Sequence, residues 1–391
     1  MAKTRSTMLA RSPDQQQLRT ARLRFLEGEP LPPALVPGFV ARSWERSRQA
    51  GLLPWQPPRY EAGLPARNVR QSPADRLLYQ CVHEEMEQLW SAFGGPDWAI
   101  FCANPEGVVL HARQSPGCQD TVLRHITPGR RLAESDIGTT APGCVLNEGA
   151  EAIVRGNQHY LAEFEHIFCL SLPLMGIEGQ VIGALDMTGR GQRDASLLLE
   201  QARIAALSAE TRLLSTLRHC HLLRVHHDPR WLSSPLAGVL AFEEDGRLRA
   251  ASSRARRMLG LPDAGPVRSW RIESLFGTAP SRQRRQLMHP RRPAQRMALA
   301  DGSHLWIQHA RPPQRASSVA SAMTQITALA ADVPAQTAPA PADTLRHQSL
   351  LAIAHALRAH GGNMVATARH LGISRTTLYA KLAQLRRAGL L

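Results

Sequence analysis

The stretch Gly361 to Leu391, G-G-N-M-V-A-T-A-R-H-L-G-I-S-R-T-T-L-Y-A-K-L-A-Q-L-R-R-A-G-L-L, constrains the chain more tightly than any other. Asn363 can cap a helix by accepting a backbone N–H bond, Ala368 is small enough for a close helix crossing, and Gly372 can take the positive φ of a three-residue turn. Ser374 then caps a second helix, in which Leu378, Leu382 and Leu385 recur at spacings of four and three and form the buried stripe. At about 100° per residue, Thr376, Ala380 and Arg387 point away from that stripe. Arg375, Tyr379 and Arg386 run along one flank, and Thr377, Lys381 and Gln384 along the other. This pattern predicts a helix-turn-helix whose second helix suits a DNA major groove. Arg375 can reach base edges or phosphate, the threonines can touch thymine methyls or phosphate, and Lys381 supplies a charge for phosphate. Ser374, Arg375, Thr376, Thr377, Tyr379, Lys381 and Arg387 are therefore the expected DNA contacts. A plain helical hairpin with a solvated basic face is the competing reading.

Within that stretch, G-N-M-V-A-T-A-R-H-L-G-I-S-R-T-T-L-Y-A-K-L resembles the C-terminal domain of the Fis-type DNA-binding family, through its Gly-Asn entry, Leu-Gly-Ile turn and Arg-x-Thr-Leu-x-x-Lys-Leu helix. Near the other end, V-P-G-F-V-A-R-S-W-E-R-S-R-Q-A-G-L is similar to the N-terminal tag of the acetoin-catabolism regulator family, a Fis-type group. The resemblance extends to G-R-R-L-A-E-S-D-I-G-T-T-A-P-G-C-V-L and to Asn157-Gln-His-Tyr160. That family tends to carry Trp-Ser-Glu, Gly-Thr-Asn-Ala and Glu-His there, and this chain departs from it at Leu132, Thr140 and Gln158. The resemblance implies a GAF-like sensory domain, usually an ATPase module, and the DNA-binding domain at the end.

Read in order, the chain divides into successive segments of distinct pattern. Residues 1–75 are rich in Arg and Pro, with one short amphipathic helix marked by Phe39, Val40 and Trp44. Residues 76–193 open with a helical pattern through Leu77, Leu78, Cys81, Val82, Met86 and Leu89. Two hairpins come next, Trp98–Ala103 with Val108–His111 and Phe168–Leu174 with Val181–Asp186, an order that is GAF-like. A pocket between such a sheet and its covering loops makes Glu134, Thr139, Thr140, His159 and Cys169 the candidate effector contacts, against the ordinary reading of satisfied core residues. Residues 194–227 carry leucines at helical spacing and read as one long signalling or dimer helix. On such a helix, His219, His221, His226 and His227 would diverge rather than share an ion, so no metal site is expected. Residues 228–311 pair two hairpins around a helical region and read as a PAS-like second α/β domain; residues 312–342 are a low-complexity linker; residues 343–391 form the all-α DNA-binding domain. The expected fold class is thus multidomain α+β.

Charge enters the argument through its carriers. The net charge of +15 favours an anionic partner, yet only two of the 47 basic residues are lysines, Lys3 and Lys381. A phosphate-binding G-x-x-x-x-G-K-[ST] loop needs a lysine, so these 391 residues cannot contain one, and the linker stands where relatives hold their ATPase. G-x-S-x-G, H-E-x-x-H and G-x-G-x-x-G are likewise missing, which removes the hydrolase, metalloprotease and dinucleotide classes and leaves no cofactor to expect. Neither a membrane-spanning run nor a signal-peptide core is seen, and the six cysteines contain no C-x-x-C, so a reduced, cytoplasmic protein is expected. The expected partners are double-stranded DNA, a small-molecule effector, a second copy of the chain and RNA polymerase. The alternative is an architectural DNA binder whose sensory-like domains only oligomerise it.

Overall fold

A computed structural model of the chain describes residues 14–60, 65, 68–191, 194–290, 292–314 and 367. The expected DNA contacts from Ser374 to Arg387 and the linker beyond residue 314 lie outside the described residues. Two compact units divide the chain, Met1–Ala316 and Ser317–Leu391, and the first holds two five-stranded sheets with the helices packed on them.

The N-terminal region contains two helices, α1 (Gln15–Leu26) and α2 (Gly38–Gln49), where one was expected. In α2, Val40, Ser43, Trp44 and Ser47 recur at helical spacing and face inward, and Trp44 is fully buried, its Nε1 donating to the Gln158 carbonyl at 2.8 Å. In α1 the buried face is Leu18, Ala21 and Arg22. Arg22 donates to the carbonyl of His159 at 2.6 Å and to Asn157 Oδ1 at 3.3 Å, so its charged head is held by polar groups while its stem packs.

Helix α3 (Pro73–Phe93) starts where Ser72 accepts from the amides of Ala74 and Asp75 and proline takes the first turn. It is followed by β1 (Trp98–Ala103), β2 (Val109–Gln114), α4 (Glu134–Ile137), α5 (Ala141–Glu148), β3 (Ala152–Arg155), β4 (Ile167–Met175), β5 (Val181–Arg190) and α6 (Ala195–Leu214). The strands form one antiparallel sheet in the order β2-β1-β5-β4-β3, and both expected hairpins are present. One face carries Val82 and Met86 of α3 with Leu198 and Ala202 of α6. The other carries Trp44 of α2, Val145 of α5 and the loops through Leu132 and Tyr160.

Helix α6 corrects the expected single helix over 194–227. It stops at Leu214, and His221–His226 is a strand, β6. Ser215 and Thr216 turn their hydroxyls back onto the carbonyls of Thr211 and Leu213, and Arg311, distant in sequence, donates to the carbonyls of Ser215 and Leu217. Leu222 then points one way and Leu223 and Val225 the other, into separate apolar clusters, which a strand buried on both faces allows and a helix does not. One face of α6, Leu198, Ala202, Ala205, Ala209 and Leu213, is buried in its own domain, while Leu197 is 49% exposed and Ile204 and Leu207 are half-buried on another.

Strand β6 lies at the centre of a second antiparallel sheet with β7 (Gly238–Phe242), β8 (Leu248–Ala251), β9 (Gln295–Ala298) and β10 (His304–Arg311), in the order β8-β7-β6-β10-β9. Between β8 and β9 run α7 (Ser253–Leu259), α8 (Ile272–Leu275) and α9 (Ser281–Leu287). The β7–β8 and β9–β10 hairpins match the expectation. The central strand was missed because its leucines continue the α6 pattern. Glu210 of α6 ties the two sheets together: its carboxylate accepts from the Ser253 amide at 2.7 Å and from the Ser253 hydroxyl at 2.8 Å, at the start of α7. Leu214, at the end of α6, packs with Cys220, Leu222, Val239, Ala241 and Ala250 of the second sheet. All six cysteines are unpaired, and among the described residues no helix is long and apolar enough to cross a membrane.

Candidate functional site

The five residues singled out in the sensory domain are all buried, and they fall into three arrangements, two of which share Cys169. Glu134, at the start of α4, is bound from outside by α2. Arg46 Nε lies 2.6 Å from Glu134 Oε2, and Ser43 Oγ lies 2.5 Å from Oε1 and 2.7 Å from Thr139 Oγ1. With one proton, Ser43 donates to the carboxylate and accepts from Thr139. Asn147 adds a donor at 3.2 Å, so the buried anion is fully paired and Arg46 is held firmly protonated by it. Gly143 makes this approach possible, because a Cβ there would meet Glu134 Cγ at 2.6 Å. Glu134 and Thr139 thus fasten the N-terminal segment rather than face a cavity.

His159 and Cys169 form a second arrangement. The ring Nδ1 lies 2.9 Å from the Gly156 carbonyl, which can only accept, so the proton sits on Nδ1 and Nε2 receives the Cys169 thiol at 3.4 Å. Burial lowers the His159 pKa to about 4 and pushes the Cys169 thiol up, so both are neutral near pH 7.

The third arrangement is a cavity of about 20 Å³ between the sheet and its loops, lined by Phe101, Ile126, Leu132, Ile137 and Phe164 with the polar side chains of Tyr60, Thr140, Cys169 and Thr188. Of the five expected residues it receives Thr140 and Cys169. Thr140 also accepts from the Gly143 amide at 3.3 Å and so caps α5. The cavity carries no charged lining residue and holds one water-sized body as it stands. Two buried polar atoms are left over around it. The Tyr60 hydroxyl has no partner while its ring stacks on His125 at 4.0 Å. Asp186 accepts from the Thr188 hydroxyl through Oδ1, but its Oδ2 has no partner. Burial raises the Asp186 pKa to about 8, which leaves the acid largely protonated near neutrality and able to donate. Sequence reasoning passed over Asp186 and Thr188, although an Asp-x-Thr inside an otherwise apolar strand was the available signal. Tyr60 had none, since it reaches the cavity from the segment following α2, which is anchored by Ala162 N to Pro54 O at 2.7 Å and Arg59 N to Asp136 O at 3.0 Å.

Parts of the chain match known families. Residues 13–211 match the family described as MimR, N-terminal domain. The chain belongs to that family. The matched range takes in α1 and α2 together with the first sheet. Residues 352–385 match the bacterial regulatory protein, Fis family, as the residues from Gly361 onward indicate. The chain is 27% identical over 49% of its length to the propane 2-monooxygenase operon transcriptional activator MimR of Mycolicibacterium smegmatis, covering 32% of that protein. It is 26% identical over 63% of its length to the acetoin catabolism regulatory protein of Cupriavidus necator, covering 39% of it. The matched part is therefore well under half the length of either relative. Among solved structures, a chain of the E. coli DhaR(N)-DhaL complex aligns with a TM-score of 0.40 and 18% identity, over 71% of this chain and 100% of that one.

Proposed function

We propose that this protein is a one-component transcriptional regulator, in which a small molecule bound in the sensory cavity tunes operator binding by the Fis-type domain. The observation that carries the reading is the pairing in one chain of a MimR N-terminal domain at 13–211 with a Fis segment at 352–385, with no Walker lysine anywhere in the sequence. On this reading the chain is no enzyme and acts without ATP, and a dimer reads a palindromic operator with half-sites about 34 Å apart. Ser374, Arg375, Thr376, Thr377, Tyr379, Lys381 and Arg387 make the contacts. The second sheet serves as a PAS-like domain between sensor and reader.

The cavity narrows the effector class. Its lining has no cation to pair with an anion, and it offers the Tyr60 hydroxyl, Thr140, Thr188 and, behind them, the protonated Asp186 to a ligand that is otherwise apolar. That suits a small uncharged molecule with one or two hydroxyl or carbonyl oxygens. The names of the two relatives, which mention a propane 2-monooxygenase operon and acetoin catabolism, point to compounds of this size. Binding must enlarge the cavity by moving the loops or the Tyr60 segment. Thermal-shift titration of the full chain against small ketones, diols and alcohols tests this. A true effector raises the melting temperature as RT ln(1 + [L]/Kd), and Thr188→Val abolishes the shift. A panel with no stabilising member favours the architectural alternative.

A further inference from the structure

We infer that the sensory domain has a second, independent input: a metal site formed by His83, Glu87 and His111 that takes a zinc-class divalent cation. His83 and Glu87 stand one turn apart on α3 and so present to the same side. His111 lies on β2, the edge strand, paired opposite Cys102, which belongs to the cluster beneath α3. One potential ligand atom from each of the three residues lies within 4.8 Å of the other two. This is on the helix side of the sheet, away from the sensory cavity.

Two observations point to an ion rather than to packing. His83 Nδ1 is buried without a hydrogen-bond partner, and buried His111 Nε2 makes no hydrogen bond and faces only the Glu87 carboxylate, at 3.5 Å, an arrangement that two packed histidines would ordinarily avoid by turning a ring. The rings stand 5.0 Å apart at 72° with Tyr79 against both, at 4.9 and 5.3 Å, so the aromatic contacts hold the ring planes beside the gap.

The ligand set fits the cation. Two histidines and one glutamate with a water in the fourth position is a known zinc arrangement, with bonds of about 2.0–2.2 Å and ligand atoms about 3.4 Å apart in a tetrahedron. His111 Nε2 and Glu87 Oε1 already lie 3.5 Å apart, and the Glu87 side chain is 37% exposed, so the carboxylate can adjust and water can enter. Arg113 contacts the same Glu87 oxygen at 3.4 Å and must swing away; its side chain, 44% exposed, is free to do so. Bound metal would clamp α3 to the edge strand, and α3 packs along α6, the helix that leads to the second sheet.

The test is a titration of chelator-treated full-length protein with Co²⁺, followed by displacement with Zn²⁺. The expected result is one equivalent of Co²⁺ giving the intense visible absorption of tetrahedral coordination, erased by Zn²⁺. His83→Gln and His111→Gln should each weaken binding at least tenfold, while His227→Gln, at an exposed histidine outside the trio, changes nothing. Circular dichroism confirms that each variant folds, and Glu87→Gln at the open rim substitutes for any that does not. Absence of a one-equivalent signal, a weak octahedral spectrum, or equal affinity in wild type and the His83→Gln/His111→Gln double variant would each overturn the site.

Discussion

Asp186 and His159 are buried titratable residues whose ionisation is shifted into the range where the protein can be studied, and they act in opposite directions. Asp186 titrates near 8 in the fold against an ordinary 3.8, so between those values the native state holds a proton that the unfolded chain has released, and stability falls as pH rises. His159 titrates near 4 against an ordinary 6.5, so over that interval the unfolded chain holds the extra proton and stability rises with pH. The two slopes offset one another between about pH 4 and 6.5, and from 6.5 to 8 the Asp186 slope, about 1.4 kcal/mol per pH unit, is no longer opposed by His159. Urea denaturation of wild type and Asp186→Asn at pH 6.5 and pH 8 reads this directly. The wild type should lose stability between the two, and the variant should not. An unchanged loss in Asp186→Asn would place the titration elsewhere. The sequence offered only the Asp-x-Thr in an apolar strand, because the burial behind this shift shows only once Ser171 and Phe101 are known to lie opposite Asp186 in register.

Among the elements, the ones read correctly were those whose pattern is self-contained. Helix α3 carries its own cap and stripe, and each expected hairpin carries its own turn. Helix α6 and strand β6 were fused into one element because their boundary is set from outside, by Arg311 of β10 donating to the carbonyls of Ser215 and Leu217 at the helix end. Arg311→Ala should therefore fray the end of α6 and cost about 1–3 kcal/mol, since two carbonyls lose a charged donor. Hydrogen exchange would show it as faster exchange at Ser215, Thr216 and Leu217, with the middle of α6 unaffected; uniform acceleration along the helix would argue for a global effect instead. The site divides in the same way. Glu134 and Thr139 were read as ligand contacts on the strength of local motif, yet they are occupied by Ser43 and Arg46 from a helix some ninety positions earlier, a pairing that only the fold reveals.

On the proposed function, reading and sensing are separated along the chain, and the reading end makes a prediction of its own. Arg375 sits in the first turn of the proposed recognition helix, where the helix enters the groove deepest, and Lys381 lies nearly two turns further on. Arg375→Ala should cost about 1–3 kcal/mol on the best operator and flatten preference at one base pair, whereas Lys381→Ala should weaken all sequences alike and lower the salt slope by about one unit. Anisotropy titrations on cognate and scrambled duplexes at several salt concentrations distinguish them; equal loss on both duplexes for Arg375→Ala would make it a phosphate contact. The sensing end bears on how such proteins can be assembled by recombination. Because Leu214 shares a buried cluster with Cys220, Leu222 and Val239, and Glu210 reaches across to Ser253, a crossover that joined a foreign sensor at the end of α6 would strip the second sheet of its apolar cover and leave the head of α7 without its anion. The two sheets must therefore be inherited together, and the seam at which new sensors and readers can be shuffled lies past Arg311, in the alanine- and proline-rich stretch whose composition asks for no matched core.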